Sequence, residues 1–324
     1  MRINVESPGI YTTVQDRGRF GYLADGIGQS GVMDTDAYSK ANILAGNSEN
    51  AAVLECTYTG PVLTFTSECL MAITGADMNP KIDGEPVKNY EKLNVKAGSV
   101  LDMSDAAGKG IRSYIAFHGG INVPMVLGSR STDIKAHLGG IEGRALKSGD
   151  VLETGTDFVE EESKESFSPA VFERDIAVHV VPGPQEEYFT EKGINDFYSH
   201  TYSVTDKSDR MGLRLDGIEI ETLNGSDIVS DGIVFGSIQI PGNGKPVIMM
   251  ADHQTTGGYA KIATVCSFDL PLLGQARPGS TVRFIRTSIE DAEKMYFDPK
   301  LRETVIIPVR HEKKRFKERH GWKR

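Results

Sequence analysis

A short unit occurs three times in the sequence: a glycine turn followed directly by a strand-forming segment. This repetition limits the folds that the chain can adopt. The unit occupies residues 97–101, 148–152 and 278–282, with glycine at its second position each time. Glycine supplies the positive φ that a tight turn requires, and the residues after it re-enter a sheet. Because the unit closes both halves of the chain, it favours a duplicated β-barrel.

The boundaries of the two halves are marked by charge. The length of 324 residues fits two domains of ordinary size. Residues 156–175 hold seven acidic and two basic side chains, a composition that buries little apolar surface, whereas residues 310–324 hold eight basic ones. We therefore expect an N-terminal domain over 1–158, an acidic linker over 159–175, a C-terminal domain over 176–290 and a basic tail over 291–324.

Strand-forming residues dominate between these markers, and helical patterns are few. The apolar runs 177–181 and 247–250, each bounded by Pro or Gly, predict strands. Residues 34–45 combine an acidic N-cap, apolar positions at helical spacing and a glycine stop, which predicts a helix. Shorter helices are predicted within 185–192 and 288–295. The sequence therefore predicts a mainly β fold with a few short helices.

Composition excludes several classes of function. The net charge of −9 argues against a general nucleic-acid binder, whose affinity depends on neutralising phosphates. Cys56, Cys69 and Cys266 lack metal-type spacing and are expected to be reduced, buried thiols. The seven histidines show no paired spacing either, so no metal site is predicted. Because no signal peptide or apolar run of about 18 residues is present, we expect a cytoplasmic protein without membrane contact.

Three stretches rich in glycine and polar side chains are the candidates for function: 12–34, 118–146 and 208–259. Within the third, residues 252–259 directly follow an apolar strand, which is where a scaffold usually presents a polar site. Within the second, a Gly-Ser-Arg-Ser-Thr loop suits a carboxylate or phosphate, although a purely structural arginine explains it equally well. A P-loop, a nucleophile elbow and an H-E-x-x-H motif are all absent from the sequence.

Taken in order, these stretches resemble the 5-oxoprolinase C-subunit family, also described as allophanate hydrolase subunit 2-like or biotin-dependent carboxyltransferase-like. The similarity spans about residues 3–287, with two departures: His253, where arginine is frequent, and Ala260, where proline is frequent. The strings that carry it are Thr-Thr-Val-Gln-Asp-x-Gly-Arg at 12–19, His-Gly-Gly-Ile at 118–121, Leu-Gly-Ser-Arg-Ser-Thr at 127–132, Gly-Arg-Ala-Leu-Lys-x-Gly-Asp at 143–150, Asp-Arg-Met-Gly-x-Arg-Leu at 209–215, Gly-Ser-Ile-Gln-x-Pro at 236–241, Asp-x-Gln-Thr-Thr-Gly-Gly-Tyr at 252–259 and Arg-Pro-Gly at 277–279.

The resemblance implies two tandem cyclophilin-like β-barrel domains and a heteromeric enzyme. Members of this family work with the B and A subunits of 5-oxoprolinase, and together they open 5-oxo-L-proline to L-glutamate with ATP hydrolysis. ATP, accompanied by Mg²⁺, is therefore the expected cofactor, bound by this chain or by one of its partners. The isolated chain is expected to be inactive.

The resemblance, together with residue chemistry, also suggests roles in the site. Arg210 is expected to neutralise a phosphate or carboxylate, Asp252 to accept a proton and Gln254 to orient the lactam as a third catalytic residue. The residues predicted to bind substrate are Thr255, Thr256, Gly257, Gly258, Tyr259, Ser129, Arg130, Ser131 and Gln239.

Two other functions remain open from the sequence. Related domains transfer a carboxyl group from biotin to urea, and on that hypothesis biotin would be supplied in trans, because the chain has no biotin-accepting Met-Lys-Met string. Other members of the family act with a protein that resembles the B subunit and inhibits a kinase, in which case the chain is a non-catalytic regulator.

Overall fold

The computed structural model describes residues 1–156 and 166–305, and strands dominate both stretches. Each half of the chain has its own hydrophobic core. One core is built from side chains between Ile3 and Leu152, the other from side chains between Ile176 and Phe284 with the addition of Met33. The prediction of a mainly β fold with few helices is confirmed.

The N-terminal half consists of two antiparallel sheets. One has six strands in the order β11-β1-β4-β9-β6-β7 and the other five in the order β2-β3-β10-β5-β8. The strands are β1 Arg2–Ser7, β2 Tyr11–Gln15, β3 Val53–Thr57, β4 Val62–Phe65, β5 Cys69–Gly75, β6 Lys81–Ile82, β7 Glu85–Pro86, β8 Lys92–Val95, β9 Val100–Asp102, β10 Arg112–Phe117 and β11 Val151–Glu153.

The C-terminal half is a closed barrel of seven strands with a two-stranded ribbon beside it. The barrel order is β12-β19-β16-β17-β14-β13-β20, and a parallel pairing of β12 with β20 closes it. The ribbon pairs β15 with β18. The strands are β12 Asp175–Pro182, β13 Tyr202–Val204, β14 Gly212–Asp216, β15 Asp227–Gly232, β16 Ser237–Gln239, β17 Val247–Met249, β18 Thr256–Tyr259, β19 Lys261–Val265 and β20 Thr281–Arg286.

The recurring glycine turns behave as the sequence predicts. Gly98, Gly149 and Gly279 have φ values of 85°, 86° and 84°, and each lies two residues before the first residue of β9, β11 or β20. An L side chain rarely adopts this conformation, so the turn itself selects glycine. The same kind of glycine turn therefore leads into sheet strands in the N-terminal half and into a barrel strand in the C-terminal half.

The described part of the chain contains four α-helices: α1 Thr35–Ala45, α2 Glu191–Ser199, α3 Leu270–Gly274 and α4 Ile289–Phe297. Asp34 caps α1 by accepting a hydrogen bond of 2.9 Å from the backbone of Ala37, as predicted. Ser288 caps α4 in the same way. The start predicted for the second helix was too early, because Thr190 is its N-cap and residues 186–188 form only a single 3₁₀ turn.

Only part of the predicted linker and tail can be compared with the structure, because 157–165 and 306–324 lie outside the described residues. The described end of the linker lies against the N-terminal half, where Ser166 bridges to Glu91 and the Phe167 amide donates to the carbonyl of Tyr90. In the described part of the chain no helix is both long and apolar enough to cross a membrane.

The two halves contact each other along a closely packed, polar interface next to α1 and α3, called the seam below. The buried amide of Gln275 donates to Asp34 at 2.8 Å and accepts from the backbone of Ile111 and Arg112. Gly274 packs so closely that a Cβ there would overlap the carbonyl oxygen of Met33. Buried hydrogen bonds and direct backbone contact of this kind fix the relative position of the two halves.

Candidate functional site

A cleft of about 420 Å³ opens beside this seam, and both halves line it. Larger grooves of about 830 and 1030 Å³ lie elsewhere, but loops and linker residues line them. The smaller cleft is where buried charges gather. Its lining residues are Ile10, Tyr11, Thr57, Tyr58, Ile111, Arg112, Asp133, Ile134 and Lys135 from the N-terminal half, and Ser208, Asp209, Arg210, Met211 and Asp252 from the C-terminal half.

Arg210 is the central charge of the cleft and is only 6% exposed. Its Nε donates to Asp252 Oδ2 at 2.8 Å, and its Nη2 donates to Asp252 Oδ1 at 2.9 Å. The other half of the chain supplies two further acceptors, the carboxylate of Glu55 for Nη1 and the carbonyl of Gly31 for Nη2. Arg210 therefore makes four hydrogen bonds to other residues of the protein. Two of these hydrogen bonds connect the C-terminal half to the N-terminal half.

Electrostatics keep this arginine charged. Burial alone lowers the pKa of Arg210, but the carboxylates of Asp252 and Glu55 outweigh burial and hold that pKa well above its ordinary value. Glu55 is completely buried and also accepts from the Met33 amide and the Tyr114 hydroxyl, at 2.8 and 2.9 Å. A buried ion pair with all its partners present is rigid, so Asp252 is held in one orientation at the cleft.

A row of hydrogen-bonding side chains from three adjacent strands faces this ion pair. Tyr11, Thr57 and Arg112 are register neighbours on β2, β3 and β10, and all three line the cleft. Within residues 1–156 and 166–305, Thr57 Oγ1 and Arg112 Nε are buried and have no hydrogen-bond partner, although Arg112 Nε lies 3.7 Å from Glu55 Oε1. Since buried polar atoms normally have partners, such atoms mark a place where a polar ligand or water belongs.

Tyr11 contributes a hydroxyl that stays protonated. Burial is the main reason that the pKa of Tyr11 rises to about 12, with Arg210 acting against the rise and the carboxylates of Asp252 and Glu55 adding to it. At neutral pH the phenol is therefore a hydrogen-bond donor. A neutral donor beside a fixed carboxylate is an arrangement that can bind both the carbonyl oxygen and the N–H of an amide.

The structure brings together two of the residues predicted for the site, Arg210 and Asp252. The guanidinium of Arg210 already donates hydrogen bonds to Asp252, Glu55 and Gly31. These contacts are those of a residue that positions a carboxylate, and they differ from those of an arginine whose donors are available to bind a phosphate. That distinction concerns its contacts, and a catalytic role stays a prediction.

The other predicted residues lie outside the residues that line the cleft. Ser129 and Ser131 are fully buried, and both hydroxyls donate to Asp16 Oδ1, at 2.6 and 2.5 Å. Arg130 donates from its amide to the same carboxylate and from its Nε to the carbonyl of Val123, at 3.2 Å. This loop is held by Asp16, and substrate binding by its side chains stays a prediction.

The stretch that follows Asp252 turns away into the ribbon. Thr256, Gly257, Gly258 and Tyr259 form β18, which pairs with β15, while Gln254 and Thr255 lie half-buried in the connection to it. Gln239 is buried below and donates to the carbonyl of Tyr259 at 3.2 Å. These residues shape the ribbon that adjoins the site, and their predicted contact with substrate stays a prediction.

The sequence did not predict Tyr11, Arg112 and Lys135, which line the cleft, or Glu55, which pairs with Arg210. Tyr11 stands directly before the polar stretch that begins at Thr12, and Glu55 is an acidic residue inside an otherwise apolar or uncharged strand. A charged side chain in a buried strand needs an oppositely charged or hydrogen-bonding partner, and this rule would have identified Glu55 as a candidate site residue. Lys135 lies in an ordinary loop sequence that carries no such signal.

The fold is that of a carboxyltransferase domain. The model of the family described as "Carboxyltransferase domain, subdomain A and B" matches residues 25–286. A solved structure of the urea amidolyase of K. lactis superposes with a TM-score of 0.85 at 30% identity, covering 93% of this chain and 20% of that one.

Curated relatives narrow the assignment. The chain is 39% identical to the C subunit of 5-oxoprolinase from Haemophilus influenzae over 283 residues, which covers 87% of this chain and 90% of that protein. It is 37% identical to the protein of the same name from Escherichia coli, with 88% and 91% covered. The chain therefore belongs to the carboxyltransferase-domain family and, within it, to the 5-oxoprolinase C-subunit family.

Proposed function

We propose that this chain is the C subunit of an ATP-dependent 5-oxoprolinase complex, which converts 5-oxo-L-proline to L-glutamate, and that the inter-domain cleft binds the lactam. Relatives named as C subunits of 5-oxoprolinase support this proposal, since they match nearly the whole chain. The observation that carries it is the fixed Asp252 carboxylate beside the protonated hydroxyl of Tyr11, because a lactam offers one N–H and one carbonyl oxygen.

The binding geometry follows from the chemistry of each group. Asp252 accepts the lactam N–H on the lone pairs that Arg210 leaves unused, and Tyr11 donates to the lactam carbonyl oxygen. The ring methylenes pack against apolar side chains at the cleft mouth, among them Ile10 and Met211. As the carbonyl oxygen gains negative charge during ring opening, a donor already aimed at it lowers the barrier.

The cleft does not suit a nucleoside triphosphate. Asp133, Asp209 and Asp252 balance the three cations that line it, and both arginines are engaged by carboxylates. We therefore assign the ATP and Mg²⁺ requirement of the proposed reaction to one of the partners of this chain.

The proposal includes the A and B subunits of 5-oxoprolinase as obligate partners, and co-expression tests it. The three-protein complex is expected to release glutamate and phosphate only when 5-oxo-L-proline and ATP are both present, and this chain alone is expected to release neither. A reconstituted complex that forms but shows no substrate-dependent phosphate release would contradict the proposal and favour a regulatory binding module.

A carboxyltransferase acting with biotin on a urea-like substrate is the second candidate. The structural similarity to urea amidolyase favours it, because urea too offers an N–H and a carbonyl oxygen to the same pair of side chains. Incubating the chain with carboxylated biotin and urea, then measuring the carboxylated product by mass spectrometry, separates the candidates. Product formation without ATP would support the carboxyltransferase.

A further inference from the structure

Lys135 stands at the cleft in a loop that is rigidly built. Asp133 and Leu138 exchange two backbone hydrogen bonds, at 2.8 and 3.0 Å, and the Asp133 carboxylate accepts from the Ala136 amide at 2.9 Å. These three bonds close a tight turn around Lys135. A side chain carried by such a turn has its backbone position fixed before any ligand arrives.

The ammonium group of Lys135 is the available cation of the site. Arg210 is engaged by Asp252 and Glu55, and Arg112 lies beside Glu55 and donates to the carbonyl of Gly274. Lys135 is exposed, lines the cleft, and forms no ion pair with any side chain in residues 1–156 or 166–305. Its charge is thus free to meet a ligand.

The charge balance of the surroundings makes this one cation decisive. Among the lining residues, Asp133, Asp209 and Asp252 outnumber Arg112 and Arg210, so without Lys135 the cleft has a net negative charge that opposes binding of an anion. A small monoanion can bind only where a local cation offsets that repulsion, since charges interact strongly at close range and weakly across solvent.

We propose that Lys135 anchors the carboxylate of the substrate, so that the cleft selects small cyclic amides that carry an acid group over neutral amides of the same size. This inference rests on the proposed lactam-binding function and adds to it a residue that determines specificity. The lactam end of the ligand meets Asp252 and Tyr11 at the floor, while its carboxylate reaches the rim. Hydrogen bonds from an ammonium to a carboxylate are among the stronger polar contacts in proteins.

Binding of two ligands to the full-length chain, purified with its partners, tests this inference. 5-Oxo-L-proline carries the carboxylate, whereas 2-pyrrolidinone is the same ring without it. We expect Lys135→Met to weaken binding of 5-oxo-L-proline by about tenfold, the loss typical of a charge-assisted hydrogen bond, and to leave 2-pyrrolidinone unchanged. Lys135→Arg keeps the charge and is expected to restore most of the affinity. Ligand-detected NMR titration measures both.

Lys147→Met is the matched control, because Lys147 is also exposed and outside the residues that line the cleft. It makes the same charge change and is expected to alter neither affinity. Equal weakening of both ligands by Lys135→Met, or no weakening of 5-oxo-L-proline, overturns the carboxylate anchor while the lactam site stands. A wild-type complex that binds neither ligand overturns the proposed function and the anchor together.

Discussion

Arg210 and Glu55 form a buried ion pair that joins the two halves of the molecule at the floor of the cleft. The same guanidinium holds Asp252 at two points, so a single side chain both connects the halves and orients the carboxylate of the candidate site. Stability and site geometry are therefore coupled through one residue, and substitutions in this network are expected to affect both.

Replacing Arg210 tests that coupling. Arg210→Ala leaves the fully buried Glu55 carboxylate without its closest cation, and such a loss costs about 3–5 kcal/mol in free energy of unfolding. Arg210→Lys keeps the charge, but one ammonium cannot reproduce a planar, four-contact geometry, so we expect a smaller loss of stability with a strong loss of coupled activity. Urea denaturation and the glutamate-release assay measure the two effects.

Arg17→Ala provides the control for this pair of variants. Arg17 bonds Glu49 at 2.9 Å, and both side chains are more than half exposed. An exposed ion pair contributes little to stability, so this variant is expected to unfold like the wild type. If Arg210→Ala were equally stable, the interpretation of Arg210 as the connection between the halves would be wrong.

Tyr11→Phe removes the proposed hydrogen-bond donor to the lactam oxygen and leaves the ring in place. If the hydroxyl stabilises charge on that oxygen during ring opening, kcat is expected to fall by about a hundredfold. KM for 5-oxo-L-proline is expected to change much less, because the interaction strengthens as the reaction proceeds. Steady-state kinetics of the reconstituted complex measure both constants, and an unchanged kcat would exclude this role for Tyr11.

Gly274→Ala probes the packing of the two halves. A methyl group at this position overlaps the carbonyl oxygen of Met33, a backbone atom that can move only with its segment. Overpacking of this kind costs about 1–3 kcal/mol, although alanine favours the helix that Gly274 ends. At Gly242, where a Cβ meets open space, the same substitution is expected to leave the unfolding midpoint unchanged. Equal unfolding midpoints for Gly274→Ala and Gly242→Ala would show that the backbone at the seam can shift to accommodate a methyl group at little cost in stability.

Local features of the fold were predictable from the sequence because local chemistry determines them. The three glycine turns have φ values within a few degrees of one another, and the N-cap at Asp34 stands where the sequence predicts it. Arg210 and Asp252 were also singled out, since each belongs to a dense polar stretch.

The remainder of the site depends on contacts between distant parts of the chain. Glu55 and Arg210 are 155 positions apart, and Tyr11 reaches the cleft only because β2, β3 and β10 pair in one register. Composition and spacing carry no information on such pairings. Composition and spacing also could not show that the hydroxyls of Ser129 and Ser131 donate to Asp16. A hydroxyl-rich loop has the same sequence pattern whether its hydroxyls bind a ligand or another part of the protein.

Asp34 sits at the centre of the seam, and burial raises its pKa to about 6, against the opposing effect of its hydrogen bonds from Ala37 and Gln275. The folded protein therefore favours the protonated acid more than the unfolded chain does. The contribution of this group to stability is complete below the unfolded value of about 3.9 and is lost as the pH rises through about 6.

Asp34→Asn removes this titration, so the stability of the wild type relative to the variant is expected to fall by about 1 kcal/mol between pH 5 and pH 7. Denaturant unfolding at both pH values measures the difference. Asp36→Asn makes the same charge change at an exposed position of the same helix, and its own pH dependence is subtracted as the control. A difference between wild type and Asp34→Asn that stays constant over this range would mean that Asp34 is already ionised in the seam at pH 5, held there by Gln275 and the helix N-terminus.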